Sequence, residues 1–478
     1  MNEEFNNLNL NVANLSYKYK RNKFALNDIN FNLLPGSINA LIGPAGSGKT
    51  TLLKILGGNI NSSYGMIKFN DHIIEISTRK KLTCFIRPND PLPEEESFQE
   101  AILFYRKFQE LEEKNEEITI NTECTEDKKE NELIKNLSEG ERKLLSLELH
   151  LINKPLLLMD EPFSNLDPLS SLKIIEKIKE LKVTTIVSIH HCNEFFLKYF
   201  DSILLLKEGK LVSFFKNTNE LEEQIKLIKK ENNIKKEVED KIYDLFLNVL
   251  PFLKKQEVEP TKKKFILQTK LVGRKQLDYK SSVKLLFFRN FRMSYRDRNY
   301  FIFLILNISA VPLFLELGNT SVNKDMLTAL GIFIPAALLS SAKFGHKLAL
   351  FKKDAECEYY STISFILGTI SCDFLLSLCC FVVNFFILLI FKSIGFLWSI
   401  YGLLIIIFGI LFGYFFSFFG VIGCLICCFI NLYSNKLISP FNAILELVDK
   451  KYMSFFYLIL QLLLILSIFY FSLRVYIK

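Results

Sequence analysis

Three short stretches of the chain carry residues whose types and spacing suit one chemistry. Residues 43–50 read GPAGSGKT and match the pattern G-x-x-x-x-G-K-[ST] in full. Glycines there let backbone N–H groups converge on phosphate oxygens at a helix N-terminus. Lys49 supplies a point charge for β- and γ-phosphates, and Thr50 a hydroxyl for Mg²⁺. The expected phosphate contacts are Gly43, Pro44, Ala45, Gly46, Ser47, Gly48, Lys49, Thr50 and Thr51. Residues 156–162, LLLMDEP, are an apolar run that ends in two carboxylates. Asp160 stands where a Mg²⁺-linked acid is needed. Glu161, one residue further, leaves the strand edge toward the γ-phosphate, where it can take a proton from the attacking water or orient it. Residues 136–143, NLSEGERK, open a helix. Ser138 and Gly140 can present a hydroxyl and backbone amides to a phosphate there. Equally, Ser138 reads as a plain N-cap with Glu141 as its capping-box partner.

These residues need a scaffold. Phe31, Leu33, Ile38, Ala40, Leu41 and Ile42 are strand-like and are broken by Pro35-Gly36. Helices are expected at 98–112, 141–152 and 168–181, with strands at 156–160, 183–189, 203–206 and 211–215. Strands alternating with helices at this spacing imply a mainly parallel α/β sheet. The stretch 112–132 is acidic and reads as a solvated insert.

Composition splits the chain in two. Half of its 478 residues are apolar, with 45 Phe against one Trp, yet 23% are charged. Long charged runs lie before Arg298 and long apolar runs after Asn299. Disorder, collagen and a small disulfide scaffold are excluded. The net charge of +8 is mild, and Lys and Glu alternate, so no basic stripe points to nucleic acid. The ten cysteines form no loop framework, and Cys379-Cys380 and Cys427-Cys428 sit in apolar runs as small buried hydrophobes. The polar, acidic N-terminus reads as no signal peptide, so the polar half is expected in the cytosol.

Beyond the polar half, residues 219–280 form a Lys/Glu-rich connector. Residues 281–299 form a basic amphipathic helix, with Leu285, Leu286, Phe288 and Phe291 against Lys284, Arg289, Arg292, Arg296 and Arg298. Its place before an apolar span predicts a helix lying on the membrane surface. Spans are expected at 300–318, 326–344, 368–391, 397–430 and 453–473. The fourth is too long for one comfortable crossing and short for two. Gly413, Gly420 and Gly423 offer a break, which gives six spans; the positive-inside count favours five. The loop from Lys343 to Lys353 is basic and fits the cytosolic side. Asn307, Asp373, Asn384 and Gln461 are the polar exceptions, read as helix–helix contacts or as pathway residues.

In this order the motifs resemble an ATP-binding-cassette (ABC) transporter. The phosphate loop is followed by NLSEGERK, LLLMDEP, SNLD at 164–167 and SIHH at 188–191. The ER of SEGER, the SIH before a helix, and a cassette that precedes the membrane half are similar to G-subfamily half-transporters. Over residues 1–218 the resemblance implies an α/β P-loop NTPase cassette with a helical subdomain near 95–153. Residues 300–478 would then be an all-α polytopic transmembrane domain, carrying FKKD at 351–354 and YYS at 359–361.

The resemblance also implies ATP and Mg²⁺ as cofactors, with Thr50 and Asp160 on the metal, Glu161 and His190 catalytic, and Ser138 and Gly140 closing over ATP held by an opposite subunit. Asp167 would contact the partner cassette. Tyr19, or else Tyr17, would stack on adenine; a core strand Tyr is the plain alternative. A homodimer or heterodimer, ATP-driven export of lipids, sterols or other hydrophobic compounds, and a multi-pass membrane protein with a cytosolic cassette follow from the same likeness.

Three departures stand out. Glu139 replaces the first glycine of the signature. Pro88 or Asn89 stands where a glutamine is expected; Asn89 could still bind at the ATP site through a water or Mg²⁺, and Pro88 could not. The stretch 431–452 is too short for a large external loop. The first two motivate an alternative, a membrane-bound ATP-binding regulatory protein with weak or no transport.

Overall fold

The computed structural model describes residues 8–19, 24–109, 131–151, 154–189, 194–216, 277–297 and 344–390, with single positions at 220, 223, 406, 407 and 410. Outside them lie His190, most of the insert at 112–132, nearly all of the connector at 219–280, the expected spans 300–318 and 453–473, almost all of 326–344 and 397–430, and the stretch 431–452.

The N-terminal half is built on two sheets. Strands β1 (Leu10–Lys18), β2 (Phe24–Leu33), β4 (Tyr64–Phe69) and β5 (His72–Ile73) form an antiparallel sheet in the order β2-β1-β4-β5. A six-stranded sheet runs β10-β9-β3-β8-β7-β6. It contains β3 (Ile38–Ile42), β6 (Thr83–Ile86), β7 (Leu156–Asp160), β8 (Thr184–Ile189), β9 (Ser202–Lys207) and β10 (Lys210–Phe215). Every pairing in it is parallel except β9 with β10 at the edge.

Alternation along the strands divides the core into two layers. Leu41, Leu156, Leu158, Ile186, Leu204 and Leu206 face the antiparallel sheet and the helix α1 (Lys49–Leu56). Ala40, Leu157, Met159, Val187, Ile203 and Leu205 face the other way. There they meet Leu147 and Leu151 of α4 (Glu139–Leu151) and Ile174 and Ile178 of α5 (Pro168–Leu181). A parallel sheet covered on both faces needs runs such as LLLM that are apolar at every position. Asp167 caps α5, accepting from Ser170 N at 2.8 Å, and Pro168 fills its first position.

The helix α3 (Phe98–Gln109) packs on α4. Beyond the cassette the described residues include the helices α7 (Tyr279–Arg296), α8 (Phe344–Glu356) and α9 (Thr362–Ile390). Between the sheets' other elements lie α2 (Ile76–Leu82) and the short α6 (Glu194–Leu197). Within α9, residues Thr362–Val383 have a mean hydropathy of 2.2 and are the one stretch among the described residues long and apolar enough to cross a membrane. The helix starts six residues before the expected 368, because Ser361 Oγ accepts from Ser364 N at 3.1 Å and begins the turn there.

Two expectations for the second half change. Residues of this stretch as far as Arg296 lie in α7, where Lys284 is exposed but Arg289, Arg292 and Arg296 meet carboxylates. Arg289 is 3% exposed, 3.2 Å from Asp354 and 3.6 Å from Glu96. Arg292 pairs with Glu96 at 3.1 Å, and Arg296 pairs with Glu100. Carboxylates from the start of α3 thus satisfy the arginines that the sequence assigns to lipid headgroups, while Phe288 and Tyr295 stay exposed. The basic loop before Lys353 is largely the helix α8, and two of its lysines are buried. Lys347 meets Asp373 of α9 at 3.0 Å, which satisfies one of the polar exceptions, and Lys353 enters the cassette. Counting these lysines as loop charge overstates the positive-inside signal.

Candidate nucleotide site

The phosphate loop leaves β3 and enters α1. Gly48 and Gly46 have φ of +106° and +76°, which only glycine adopts without strain. Gly43 is fixed by space, since a Cβ on it would lie 2.1 Å from the Leu206 carbonyl oxygen. The loop is braced from the β9–β10 turn, where Gly209 N donates to Ser47 O at 2.9 Å and its own carbonyl accepts from Asn27 N at 2.7 Å. Lys49 folds back over the loop and donates to Gly43 O at 2.7 Å and Pro44 O at 3.1 Å. Burial lowers the affinity of its ammonium for the proton; the carboxylates of Glu161 and Asp160 act in the opposite sense without reversing the shift. Both acids therefore bear electrostatically on Lys49, as a triphosphate and metal site requires.

Asp160 ends β7 almost fully buried. Its Oδ1 accepts from Ser188 Oγ at 2.7 Å, and the same hydroxyl accepts from Glu161 N at 2.9 Å. Ser188 thus holds the two acidic residues in fixed relation from the neighbouring strand β8. Glu161 has φ of +49°, the left-handed region, and turns its side chain off the line of the strand. Ser188 stands in the SIHH motif, but its role was not apparent from sequence, because its bond spans 28 residues. His190 lies outside the described residues.

The loop fits the phosphates of ATP. Ser47 Oγ is buried with no hydrogen-bond partner, and a Cβ on Gly46 would meet nothing within 4 Å. Pro44, Ala45 and Thr50 line the same turn, with Ala45 exposed. Among the described residues no three His, Cys, Asp or Glu side chains converge on a metal. Thr50 and Asp160 offer two oxygen ligands, a donor set suited to Mg²⁺, which otherwise keeps waters and phosphate oxygens. Tyr19 lies beside α1, with its hydroxyl 3.1 Å from Thr51 Oγ1 and its ring edge-on to Tyr17. It is 51% exposed, so the Tyr19 ring is open to a stacking partner and is no core residue.

The second phosphate-binding candidate is a closed capping box. Ser138 N and Oγ donate to Glu141 Oε2 at 2.9 and 2.8 Å. Gly140 lies against α5, where a Cβ would come 3.1 Å from Ser170 Cβ. Glu139 turns back along its own helix to Lys143, 3.5 Å away, and Lys143 also donates to Ser164 O at 3.0 Å. Asp167, next to Ser170, brings the SNLD turn against this helix start. Asn89 is exposed in the turn after β6. Its neighbour Asp90 is bound instead, by Ser146 Oγ of α4 at 2.9 Å and by Lys353.

Fold and cradle together define a P-loop ATP-binding cassette. Residues 26–164 match the family model described as ABC transporter. ABC transporter G family member 26 of Arabidopsis thaliana is 32% identical over 204 residues, covering 39% of this chain and 30% of its own length. G family member 1 of Dictyostelium discoideum is 31% identical over 229 residues, 43% of this chain and 28% of its own length. A solved ATP-binding cassette of an ABC transporter in its ADP conformation aligns at 20% identity with a TM-score of 0.41, over 48% of this chain and 99% of that one. Over its N-terminal half the chain is similar to ABC transporter cassettes, and the likeness to the G family is borne out there; the match spans about a third of the relatives' length.

Proposed function

We propose that the chain is a G-family-like half-transporter that hydrolyses ATP to move hydrophobic molecules across a membrane, with its cassette in the cytosol. The observation that carries this reading is the joining of two things. Lys49, Asp160 and Glu161 share one electrostatic site, and the cassette that holds them is tied to α8 by the buried Lys353–Asp90 pair and the Tyr105–Asp354 hydrogen bond; α8 leads into the bilayer-length α9.

ATP would be held by residues 43–51 with Tyr19 at the base, and Mg²⁺ would be held by Thr50 and Asp160, where it would offset phosphate charge. Glu161 orients the attacking water and takes up its proton, with His190 as its expected neighbour at the γ-phosphate. These 478 residues hold one phosphate loop and one signature. Two composite sites would form with a second cassette, in an isologous dimer if the copies are identical, in which Ser138, Gly140 and Asp167 face the ATP of the opposite subunit. Closure on ATP and reopening after hydrolysis would pass through α7 and α8 to the spans as alternating access. The regulatory alternative loses much of its motive. Glu139 is tied to Lys143, and the turn that lacks glutamine still grips the membrane half.

The test is movement of fluorescent phospholipid, sterol and hydrophobic dye probes in proteoliposomes. ATP-dependent translocation of one of them, absent in Glu161→Gln, is the expected result. Movement that is equal without ATP would contradict the reading.

A further inference from the structure

The turn after β6 lacks the side chain expected to link nucleotide and membrane half, yet it holds a buried contact between them. Lys353 of α8 is 2% exposed and reaches Asp90 Oδ1 at 2.9 Å and Oδ2 at 2.7 Å. It also donates to the carbonyl of Phe85 in β6. Phe85 pairs in register with Leu158 of β7, the strand that ends in Asp160. Asp90 Oδ2, which takes the shorter of these bonds, also accepts from Ser146 Oγ of α4, the helix that starts at the signature. Arg87, in the same turn, pairs with Glu356 of α8. One ammonium thus touches the strand beside the acidic pair and, through Asp90, the signature helix.

A buried ion pair is a poor source of stability, because desolvating both charges costs about as much as their attraction returns. What it does provide is register. Its strength depends on both carboxylate oxygens and the carbonyl being in place at once, so a small shift of α8 against the turn breaks it. An apolar contact would tolerate that slip.

We propose that the Asp90–Lys353 pair is the positioning contact that transmits the nucleotide state of the cassette to α8 and α9, taking the place of the absent glutamine and acting on the signature helix through Ser146. The inference rests on the half-transporter reading above. It requires that the pair governs transmission and leaves nucleotide binding intact, since neither side chain touches the phosphate loop.

The test uses the full chain in lipid nanodiscs, with Glu161→Gln as the parent so that ATP persists. Binding of a fluorescent ATP analogue is read beside the ATP-induced change in hydrogen exchange across 344–390. In Lys353→Met, and in Lys353→Met with Asp90→Asn, which leaves no lone buried charge, the analogue should bind as in the parent while the exchange response is lost. Lys353→Arg should keep the response. Retention of the ATP-induced change in the double variant would overturn the inference, as would a parent that binds the analogue without any change in 344–390. A parent that binds no analogue would overturn the functional reading itself, and the inference with it.

Discussion

Ser188 organises the chemistry more than its modest side chain suggests. Its hydroxyl donates to Asp160 and accepts from the Glu161 amide, so one atom sets the angle between the metal-side acid and the water-side acid. Ser188→Ala should cost about 1–3 kcal/mol of stability and lower ATP turnover more than ATP affinity; a KM-against-kcat comparison checks this. Gly43 is the steric counterpart. Its missing Cβ is where the Leu206 carbonyl stands, so Gly43→Ala must open the loop, and titration with an ATP analogue should find binding lost. Lys49, Asp160 and Glu161 were legible in the sequence because each lies in a local motif whose neighbours fix its backbone. Ser188 and Lys353 fall within SIHH and FKKD, but their roles were not legible, since their partners stand 28 and 263 residues away.

Among the elements, the sheet strands and α5 follow their sequence signals closely, through LLLM at β7 and the Asp167-Pro168 start of α5. The orientation of α7 did not follow. Its amphipathic pattern is real, but pattern alone does not say whether arginines meet lipid phosphates or carboxylates, and Glu96 and Glu100 lie far away in sequence, just before and within α3. The close approach of α7 to α9 is equally hidden. A Cβ on Gly368 would lie 2.7 Å from Leu286 Cβ, so Gly368→Leu should separate the two helices and cost about 1–3 kcal/mol, read as a lowered Tm.

At β6, burial pushes the Cys84 thiol up to about 12 from 9.0, despite the nearby Lys154 and Lys353 ammonium groups. Below pH 9 the thiol is neutral in both folded and unfolded chains. From pH 9 toward 12 it ionises only when unfolded, so stability falls by up to about 1.4 kcal/mol per pH unit. Thermal unfolding between pH 8 and 10 should show this loss, and Cys84→Ala should flatten it. Lys353 contributes in the same alkaline direction. Burial works against its charge, but Asp90 holds its proton affinity above the ordinary lysine value, so its stabilisation is also lost as pH rises.

At the scale of the whole molecule, the division into a charged cassette and an apolar half was plain from composition. What composition does not reveal is how the halves are joined, by Arg289, Lys353, Asp354 and the tyrosines around them. The central claim is that this cassette is an ATPase working as a dimer within a membrane. The most direct measurement is ATP turnover by the purified chain in lipid nanodiscs, beside Lys49→Ala and Glu161→Gln, with particle mass taken on the same samples. The account predicts wild-type turnover in a dimer, lowered by about 100-fold or more in Glu161→Gln and abolished in Lys49→Ala. Turnover unchanged in Glu161→Gln, or ATP bound by the wild type without hydrolysis, would contradict it.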